Sequence, residues 1–483
     1  MGRPRTRLTV PSMYPLIGYI SIPKKVDRTK NATDHLLNII KKPEISGYTA
    51  TTWGLKAYTK TFEKFEYGNA KYLPDEETDL VKFADNCVLA EIGYMEGSRV
   101  IPVQCTNKNM KSTPGFPKML QFETEEEYIR ECGMQEYVEA FCSEETLKNQ
   151  PLWYCFLKNE ILKENKVRNQ DIRVITCSDP VFTRIGASLD TVQNTRMKNR
   201  TETHHAQVGW TPFRGGLDRR LRRLEKHNVF VELDWTRFDG TIPNWLLKRV
   251  RLIRWFLMNA EDRNRHYKLA KWYTSCLLHR YTVFPTGEVT LICKGNPSGQ
   301  YSTTVDNNIV NEWLTAFEFG MLYKRQNGKL PTVSEYRKNV DMLCYGDDRL
   351  LSYNSTFVTY DTQFVVDMYR EYLGMWVKPE NLKVSTTLEG TTFCGFTFKK
   401  VNGKYYGAMT AEKLLQSLNT PVRQLPNVES LWGKLVSLRI LLHHSDRKYV
   451  DYLNGQIRKV EEYCQKEGIQ LPEVGPDFYK TIW

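Results

Sequence analysis

The stretch Asp341-Met342-Leu343-Cys344-Tyr345-Gly346-Asp347-Asp348-Arg349-Leu350-Leu351-Ser352-Tyr353 decides the fold. Two short apolar runs, 342–345 and 350–353, flank Gly346, Asp347 and Asp348. Short apolar runs separated by turn residues are typical of a β-hairpin, so the pattern predicts one with carboxylates at its tip. Gly-Asp-Asp alone is weak evidence for a site: it arises by chance about 0.1 times in a chain of this length. A solvated turn would explain it equally well.

A second segment, residues 228–243, predicts a strand followed by a helix. Apolar residues alternate along 229–233, as in a half-buried strand that ends at Asp234. Thr241 and Pro243 then resemble a helix start. The predicted helix has an apolar stripe made of Leu246, Val250, Ile253 and Leu257. Its other face carries Lys248, Arg249, Arg251 and Arg254.

Two further regions give clear local predictions. Residues 295–299, Gly-Asn-Pro-Ser-Gly, form a turn-rich loop that leads into a helix through Thr303, Asn307 and Trp313. Near the C-terminus, residues 411–418, 428–442 and 447–467 predict helices, with Pro421 and Pro426 as breaks. The C-terminal part is therefore expected to be helical.

Length, charge and cysteine usage limit the possible classes. The chain has 483 residues, 41% of them hydrophobic, so several cores or lobes are expected. Its formal net charge of +12 suits a polyanionic partner such as nucleic acid, although a basic protein without one is equally compatible. Eleven cysteines without CxxC pairs do not indicate zinc ribbons. No apolar run approaches the roughly 20 residues of a membrane helix.

Carboxylates at a strand end and at a neighbouring hairpin tip suit divalent metal ions. Nucleotidyl transfer uses two Mg²⁺ ions about 3.5–4 Å apart, held by carboxylate oxygens on a rigid support. Asp234 and Asp347 are the predicted main ligands, with Asp348 as an auxiliary ligand or charge. Three close carboxylates repel one another unless a cation neutralises them. We expect Mg²⁺ as the cofactor, and Mn²⁺ as a substitute for it.

A basic stretch precedes these motifs. Five cations lie within residues 158–173, near a predicted strand at Val174 and Ile175: Lys158, Lys163, Lys166, Arg168 and Arg173. They would line the path of an incoming nucleotide and bind its phosphates. A solvated charged surface is the alternative, and for such a stretch alone it is favoured by about two to one.

These segments, in this order, resemble the motifs of RNA-dependent RNA polymerases from positive-strand RNA viruses of the picornavirus-like group, and among them the astrovirus polymerases. The resemblance covers about residues 111–398. Residues 112–117 (Ser-Thr-Pro-Gly-Phe-Pro) are similar to motif G and 158–173 to motif F. Residues 234–239 (Asp-Trp-Thr-Arg-Phe-Asp) are similar to motif A, 295–307 to motif B, 345–348 (Tyr-Gly-Asp-Asp) to motif C and 393–396 (Phe-Cys-Gly-Phe) to motif E. Motif E lacks the basic pair that picornaviral relatives often have.

The resemblance implies an α+β, right-hand polymerase fold. Fingers would comprise residues 1–189 and 244–297, the palm 190–243 and 298–400, and the helical thumb 401–483, with fingertips closing onto the thumb. The palm would hold an antiparallel sheet bearing the Gly-Asp-Asp hairpin.

The resemblance also implies roles for individual residues. The catalytic set would be Asp234, Asp347, Asp348 and Lys383, with the Trp235 backbone carbonyl as a further metal ligand. The nucleotide would contact Lys158, Lys166, Arg173, Asp239, Ser298, Thr303 and Asn307. The template would contact Ser112, Pro114, Gly115 and Gly299. The lysine of motif D, which protonates pyrophosphate, has two candidates: Lys383 fits the spacing after proline better, though by one residue too many, and Lys378 is the alternative.

The implied function is template-directed RNA synthesis from ribonucleoside triphosphates, replicating and transcribing a positive-strand RNA genome. Implied partners are template and nascent RNA, other viral replication proteins and a genome-linked protein primer, with de novo initiation left open. The expected location is the host cytoplasm, at membrane-associated complexes reached through partners. Two alternatives are a reverse transcriptase, disfavoured by Asp239, Asn307 and Gly346, and a non-enzymatic RNA-binding protein, which would not account for the carboxylates.

Overall fold

A computed structural model describes residues 8, 10–11, 14–22, 34–66, 70–71 and 78–483 of the chain. The strands are β1 (Leu16–Tyr19), β2 (Tyr48–Ala50), β3 (Leu152–Leu157), β4 (Ile161–Lys163), β5 (Val174–Cys177), β6 (Val229–Thr236), β7 (Arg280–Val283), β8 (Glu288–Ile292), β9 (Val340–Tyr345), β10 (Asp348–Tyr353), β11 (Trp376–Ser385), β12 (Thr392–Phe393), β13 (Phe396–Val401) and β14 (Lys404–Ala408).

The helices are α1 (Leu55–Glu66), α2 (Thr78–Glu91), α3 (Glu125–Cys132), α4 (Gln135–Cys142), α5 (Glu164–Arg168), α6 (Pro180–Lys198), α7 (Gly216–Leu224), α8 (Phe238–Thr241), α9 (Asn244–Phe256), α10 (Ala260–Arg265), α11 (Tyr267–Leu278), α12 (Thr303–Asn327), α13 (Val333–Asn339), α14 (Thr362–Met368), α15 (Ala411–Leu415), α16 (Val428–Leu441), α17 (Arg447–Lys466) and α18 (Phe478–Thr481). Single 3₁₀ turns lie at His35–Ile39, Gly93–Met95, Val103–Cys105, Lys118–Leu120, Glu144–Lys148 and Gln416–Leu418, and a π-turn at Tyr369–Leu373. The fold is therefore mixed α+β.

A four-stranded antiparallel sheet in the order β11-β6-β10-β9 lies at the centre. On β6, Val231, Leu233 and Trp235 point into the core, while Glu232 and Asp234 point to the other face. This is the alternation that the sequence predicts. The strand continues two residues beyond the predicted end at Asp234, because β11 pairs with it as far as Thr236.

Helices α2, α9 and α12 cover the buried face of this sheet. Helix α12 packs closely on α2 because it carries Gly320 at the crossing. A Cβ at Gly320 would lie 2.6 Å from Leu80 Cδ1 and 2.9 Å from Phe83 Cδ1. The close approach excludes a side chain there, and it fixes the helix whose N-terminal half holds Thr303 and Asn307.

Helix α9 has the predicted apolar stripe, and two of the arginines on its other face are buried. Arg251 and Arg254 are 7% and 2% exposed and pair with buried carboxylates instead of facing solvent. Arg251 Nη1 lies 2.7 Å from Asp190 Oδ2, and Arg254 Nη1 lies 2.7 Å from Asp306 Oδ1. Buried charges persist only when they are paired, and α6 and α12 supply the partners.

A second sheet, β1-β8-β7-β3-β5, is mixed, since β3 and β7 run parallel and its other pairs are antiparallel. A three-stranded sheet, β12-β13-β14, follows the central sheet in sequence. The C-terminal helices α15, α16 and α17 enclose their own apolar cluster, as the sequence predicts. Leu37 and Ile40, from the N-terminal part of the chain, are buried in that cluster. None of the described helices is long and apolar enough to cross a bilayer.

Candidate active site

The predicted carboxylates meet at one edge of the central sheet. Strands β9 and β10 form the predicted hairpin, in which Tyr345 pairs with Asp348 across the two-residue tip. Gly346 adopts a φ of +61°, a conformation that glycine takes without strain. Strand β10 also pairs with β6, and this places Asp348 directly opposite Asp234. Asp347 therefore lies at the tip, beside the strand that carries Asp234.

A cleft of about 320 Å³ opens at this edge. Its lining comprises Glu232, Leu233, Asp234, Asp347, Asp348, Arg349, Asn381, Lys383 and Thr392. Three of the predicted metal ligands thus share one cavity with a predicted lysine. Asp234 and Asp347 are exposed to this space, so a ligand can reach their oxygens.

The carboxylates influence one another's ionisation. Desolvation and the charges of Asp239, Asp348 and Asp234 raise the pKa of Asp347 to about 7. Desolvation also raises the pKa of Asp348 to about 6, against a hydrogen bond from the Cys394 backbone N–H. The charge density at this edge is therefore partly uncompensated, and a divalent cation would relieve it. All candidate donors are oxygens, which is the donor set that Mg²⁺ and Mn²⁺ prefer.

The hairpin tip is fixed from two sides. From α12, Asn311 Nδ2 donates to Gly346 O at 3.1 Å, and Asn311 is fully buried. From the β12–β13 turn, Cys394 N donates to Asp348 Oδ2 at 2.7 Å. This turn is the segment that resembles motif E. The two contacts restrict the position of Asp347 although its own side chain is exposed.

Trp235 is held by its ring, which packs against Phe238 and Tyr369 at centroid distances of 5.1 and 5.6 Å. The indole is 2% exposed. The backbone carbonyl of Trp235 is consequently carried on a rigid strand next to Asp234, which is a suitable support for a metal ligand.

Both lysine candidates of the motif D segment lie near the carboxylates. Lys383 pairs with Glu232 across β11 and β6 and lines the cleft. Lys378 lies in the irregular stretch of β11 between Val377 and Leu382, where its charge acts on Asp234. Desolvation raises the pKa of Asp234, and the charges of Lys166 and Lys378 oppose that rise. The choice between Lys383 and Lys378 stays open.

Asp239 and Asn307 are in direct contact: Asn307 Nδ2 donates to Asp239 Oδ1 at 2.9 Å. Asn307 Oδ1 in turn accepts from Asn296 Nδ2 at 2.9 Å, and Asn296 Oδ1 accepts from Gln300 Nε2 at 2.6 Å. Gln300 Nε2 also donates to Asp306 Oδ2 at 3.0 Å, which links the chain of amides to the buried arginines of α9. The pair is thus held by a continuous polar network.

The other two predicted ribose contacts use their hydroxyls differently. Thr303 Oγ1 donates within the loop, to Pro297 O at 2.8 Å and Gln300 O at 3.0 Å. Ser298 Oγ accepts from Thr176 N at 3.1 Å, and its own proton is left for another acceptor. Ser298 is therefore better placed than Thr303 to donate to a bound ligand.

Gly299 fixes the same loop against β5. Its N–H donates to Thr176 O at 2.8 Å, and a Cβ at this position would lie 2.5 Å from that oxygen. Only glycine allows this backbone contact. The loop at residues 295–299 and strand β5 are therefore held together by this backbone contact.

Two of the predicted phosphate-binding cations are paired with one acid. Arg173 makes a two-pronged contact with Glu160, with Nε to Oε1 at 3.0 Å and Nη2 to Oε2 at 2.8 Å. Lys158 Nζ lies 3.3 Å from Glu160 Oε2. Arg173 remains 66% exposed, so an anionic ligand could replace the glutamate. Lys166 lies on α5, and its positive charge opposes the rise in the pKa of Asp234.

The predicted template contacts Ser112, Pro114 and Gly115 are not among the residues that line the carboxylate cleft. Pro114 and Gly115 are buried, and Ser112 Oγ donates to Asn109 O at 2.7 Å. Gly115 has a φ of +69°, and a Cβ there would lie 2.4 Å from Ser178 O, just before α6. The structure thus fixes the backbone of this segment, while template contact stays a prediction.

Four residues that the sequence reasoning gave no role belong to the geometry of the site. Glu160, Asn296, Gln300 and Asn311 hold predicted site residues in place through side-chain contacts. The first three stand inside the quoted motifs, so their polar character was a usable signal. For Asn311 the sequence contains no usable signal, because one asparagine within a helical pattern does not indicate which strand its side chain will contact.

Comparison with known proteins agrees with this geometry. The family described as "Viral RNA-dependent RNA polymerase" matches residues 24–464. The chain is 58% identical over 479 residues to the non-structural polyprotein 1AB of Avian nephritis virus 1, covering 99% of this chain and 32% of that protein. It is 49% identical over 484 residues to the same polyprotein of Turkey astrovirus 2, covering 99% of the chain and 30% of the polyprotein. For Human astrovirus-1 the identity is 42% over 470 residues, covering 94% and 32%.

A carboxylate cluster at a strand end and hairpin tip, beside an Asp–Asn pair, is an arrangement that suits a metal-dependent nucleotidyl transferase. The chain belongs to the family of viral RNA-dependent RNA polymerases, and it is similar to a region of astrovirus polyproteins. Its enzyme class is that of RNA-directed RNA polymerases, whose substrates are RNA and ribonucleoside triphosphates. The chain spans about a third of the length of the curated polyproteins it matches.

Proposed function

We propose that this chain extends RNA on an RNA template with two divalent cations held between Asp234 and Asp347, in the replication of a positive-strand RNA genome. The observation that carries the proposal is the strand pairing of Asp348 with Asp234, which sets Asp347 beside Asp234 in an open, oxygen-lined cleft. Bound there, two Mg²⁺ ions would activate the 3′-hydroxyl and neutralise the triphosphate. Mn²⁺ would substitute.

In this proposal the protein contributes positioning and charge. Asp234, Asp347 and the Trp235 carbonyl would hold the cations that position the 3′-hydroxyl and the triphosphate. Asp348 would add a further negative charge. Lys158, Lys166 and Arg173 bind the triphosphate, and Glu160 releases Arg173 when phosphate arrives. Lys383 or Lys378 donates a proton to the departing pyrophosphate, an effect worth roughly 10²–10⁴-fold.

The sugar is read by the network around Asp239. Asn307 and Asp239 are already hydrogen-bonded, and Ser298 has a hydroxyl proton available, so a ribose 2′-hydroxyl would be satisfied by groups already in place. A site built for a hydroxyl leaves its polar groups unpaired when that hydroxyl is missing. We therefore assign ribonucleotide selection to Asp239, Asn307 and Ser298, with Thr303 shaping the loop.

For the architecture we propose fingers, palm and thumb. The central sheet, the carboxylates and α12 would be the palm, the five-stranded sheet would belong to the fingers, and α15 to α17 to the thumb. We set the boundary of the thumb near residue 409, because a boundary after residue 400 would divide the β13–β14 hairpin. Contacts of residues 34–41 with α16 and α17 support closure of the fingers onto the thumb.

The partners and the setting are proposals too. Template RNA would pass Ser112, Pro114, Gly115 and Gly299. Initiation would use either a genome-linked protein primer or a de novo start. Other viral replication proteins would bring the enzyme to membrane-associated complexes in the host cytoplasm.

The test is incorporation of labelled nucleotides on a primed homopolymeric RNA template, with Mg²⁺ or Mn²⁺, for the wild-type chain, Asp347→Ala and Glu473→Ala. Glu473 is an exposed acid outside the cleft. Ribonucleotide-selective synthesis that EDTA and Asp347→Ala abolish, and Glu473→Ala leaves unchanged, is the expected result. RNA binding without synthesis under every primer and metal, or synthesis that survives Asp347→Ala, contradicts the proposal.

A further inference from the structure

Behind the β9–β10 hairpin, three buried side chains bring metal-binding atoms together. Among the described residues, Glu91, His205 and Glu312 each offer one such atom, and these atoms lie within 4.8 Å of one another. Glu91 ends α2, His205 lies in the segment after α6, and Glu312 lies in α12. Three elements distant in sequence therefore converge on one point of the core, away from the lining of the carboxylate cleft.

The distances between donors approach those of a first-row metal site. His205 Nδ1 is hydrogen-bonded to Glu312 Oε1 at 2.7 Å, a contact that a bound metal would replace, and it lies 3.7 Å from Glu91 Oε1. With metal–ligand bonds of about 2.0–2.2 Å, neighbouring donors of a tetrahedral zinc ion are roughly 3.3 Å apart. Shifts of roughly half an ångström in the side chains would reach that geometry. One imidazole and two carboxylates are a donor set that suits zinc.

The second nitrogen of His205 is oriented as in known zinc sites. His205 Nε2 lies 3.3 Å from Asp341 Oδ1, and Arg223 Nε holds Asp341 Oδ2 at 3.0 Å. Metal-bound histidines usually give their other ring nitrogen to a carboxylate, which fixes the ring and its tautomer. Asp341 occupies that outer position here.

Glu91 supplies an independent indication of a ligand. Its side chain is 4% exposed, and its Oε2 atom is buried without a hydrogen-bond partner. Because both oxygens belong to one carboxylate, Oε2 lies at the same cluster as Oε1. A buried carboxylate oxygen with no donor is costly, and a bound cation would satisfy it.

We propose that Glu91, His205 and Glu312 bind one structural zinc ion, with water as the fourth ligand. The ion would brace the strand that leads to Asp347. His205 O accepts from Cys344 N at 3.0 Å, and Gln207 N donates to Cys344 O at 2.8 Å, so the His205 segment runs along β9. The site is separate from the proposed Mg²⁺ cleft and does not rest on the polymerase mechanism.

A metal-free alternative is defined by the charges around the cluster. The acidic residues are Glu91, Glu312 and Asp341. Three basic residues contact them: Arg337 lies 3.4 Å from Glu91, Arg223 pairs with Asp341, and His205 pairs with Glu312. If His205 is protonated, three negative and three positive charges balance without a metal. In that case the cluster is a buried ion network and binds no zinc.

The experiment measures zinc in the full chain purified without a histidine tag. Wild type, Asp347→Ala and His204→Gln should each retain about one zinc per chain after dialysis against a weak chelator. His204 is the adjacent, partly exposed histidine and serves as the matched control. His205→Gln and Glu312→Gln should lose the ion, and Asp341→Asn should weaken its affinity by roughly 10–100-fold.

A second measurement uses only the wild-type protein, so it does not depend on whether the variants fold. Wild-type protein stripped of metal is titrated with zinc in competition with a chelating dye, while thermal unfolding is followed. One tight equivalent that raises the unfolding temperature supports the site. Less than about 0.1 zinc per folded chain before and after zinc addition overturns it. Zinc retained by both His205→Gln and Glu312→Gln overturns it as well.

Discussion

At the scale of single residues, the Asp239–Asn307 contact carries the clearest chemical consequence. The amide of Asn307 donates to Asp239 and accepts from Asn296, so its orientation is fixed from both ends. Truncating Asn307 removes its hydrogen bond to Asp239 and, under the proposed function, one partner of the ribose 2′-hydroxyl.

We predict that Asn307→Ala lowers the preference for rNTPs over dNTPs by roughly 10–100-fold, because one charge-assisted hydrogen bond is worth about 1.5–3 kcal/mol. The kcat/KM values for each substrate on one template give the ratio. Asn308→Ala is the adjacent control. Equal losses with rNTPs and dNTPs would refute the assignment.

Asp347 provides a prediction of pH dependence. Its pKa is raised from an ordinary 3.8 to about 7, so the folded, metal-free protein binds this proton more tightly than the unfolded chain. The stabilisation from that proton is present at low pH and is lost as the pH rises towards 7. The stability against thermal unfolding without metal should therefore fall more steeply between about pH 4 and 7 in wild type than in Asp347→Asn.

The same proton competes with a metal. The Mg²⁺ concentration needed for half-maximal stabilisation should rise by up to roughly tenfold per pH unit below 7 in wild type. Asp347→Asn should show little stabilisation by Mg²⁺ at pH 8. Identical pH profiles for the two proteins would show that Asp347 is not the titrating group.

At the scale of elements, α12 connects the motif B loop to the hairpin. Its first turns hold Asn307, its middle holds Asn311 against Gly346, and Asp306 joins it to the arginines of α9. The helix therefore links the residues proposed to read the sugar to the hairpin tip proposed to bind metal. Its rigidity depends on buried charges as well as on apolar packing.

We predict that Asp306→Ala destabilises the chain by about 3–5 kcal/mol, because it leaves Arg251 and Arg254 buried with less countercharge. Denaturant unfolding measures the change. The control is Glu145→Ala, which breaks an exposed pair with Lys148 and should cost less than about 1 kcal/mol. A loss for Asp306→Ala as small as that for Glu145→Ala would contradict the role of the network.

At the scale of the whole molecule, the N-terminal part of the chain is fastened to the C-terminal helices. Leu37 is 2% exposed inside the cluster of α16 and α17. Lys41 N donates to Gln456 Oε1 at 2.8 Å, and Leu425 N donates to Asp34 Oδ2 at 3.0 Å. Segments nearly 400 residues apart in sequence are held together by these contacts.

We predict that Leu37→Ala weakens this attachment by about 2–4 kcal/mol through the cavity it leaves. Hydrogen exchange should accelerate in residues 34–41 and in α17, and products should shorten on a long template as the enclosure opens. Asn38→Ala, at an exposed neighbouring position, is the control. Unchanged exchange in both variants would show that the attachment does not depend on this side chain.

The local elements of the site were predictable from sequence. The hairpin at 340–353, the strand before Asp234, the loop and helix from 295 and the C-terminal helices are all present, because periodicity and turn residues act within a few positions. The proximity of Asp234 and Asp347 was expected from a strand end beside a hairpin tip, and the family match supports the enzyme class.

Tertiary structure decided the features that depend on distant partners. No local pattern distinguishes the buried Arg251 and Arg254 from solvated arginines, since burial depends on Asp190 and Asp306 arriving from other helices. The convergence of Glu91, His205 and Glu312 is likewise invisible in sequence. The sequence alone determined the elements and the class of chemistry, because both rest on short-range patterns. Only packing determined the strand register, the paired buried charges and the proposed zinc cluster, because each is a relation between segments far apart in the chain.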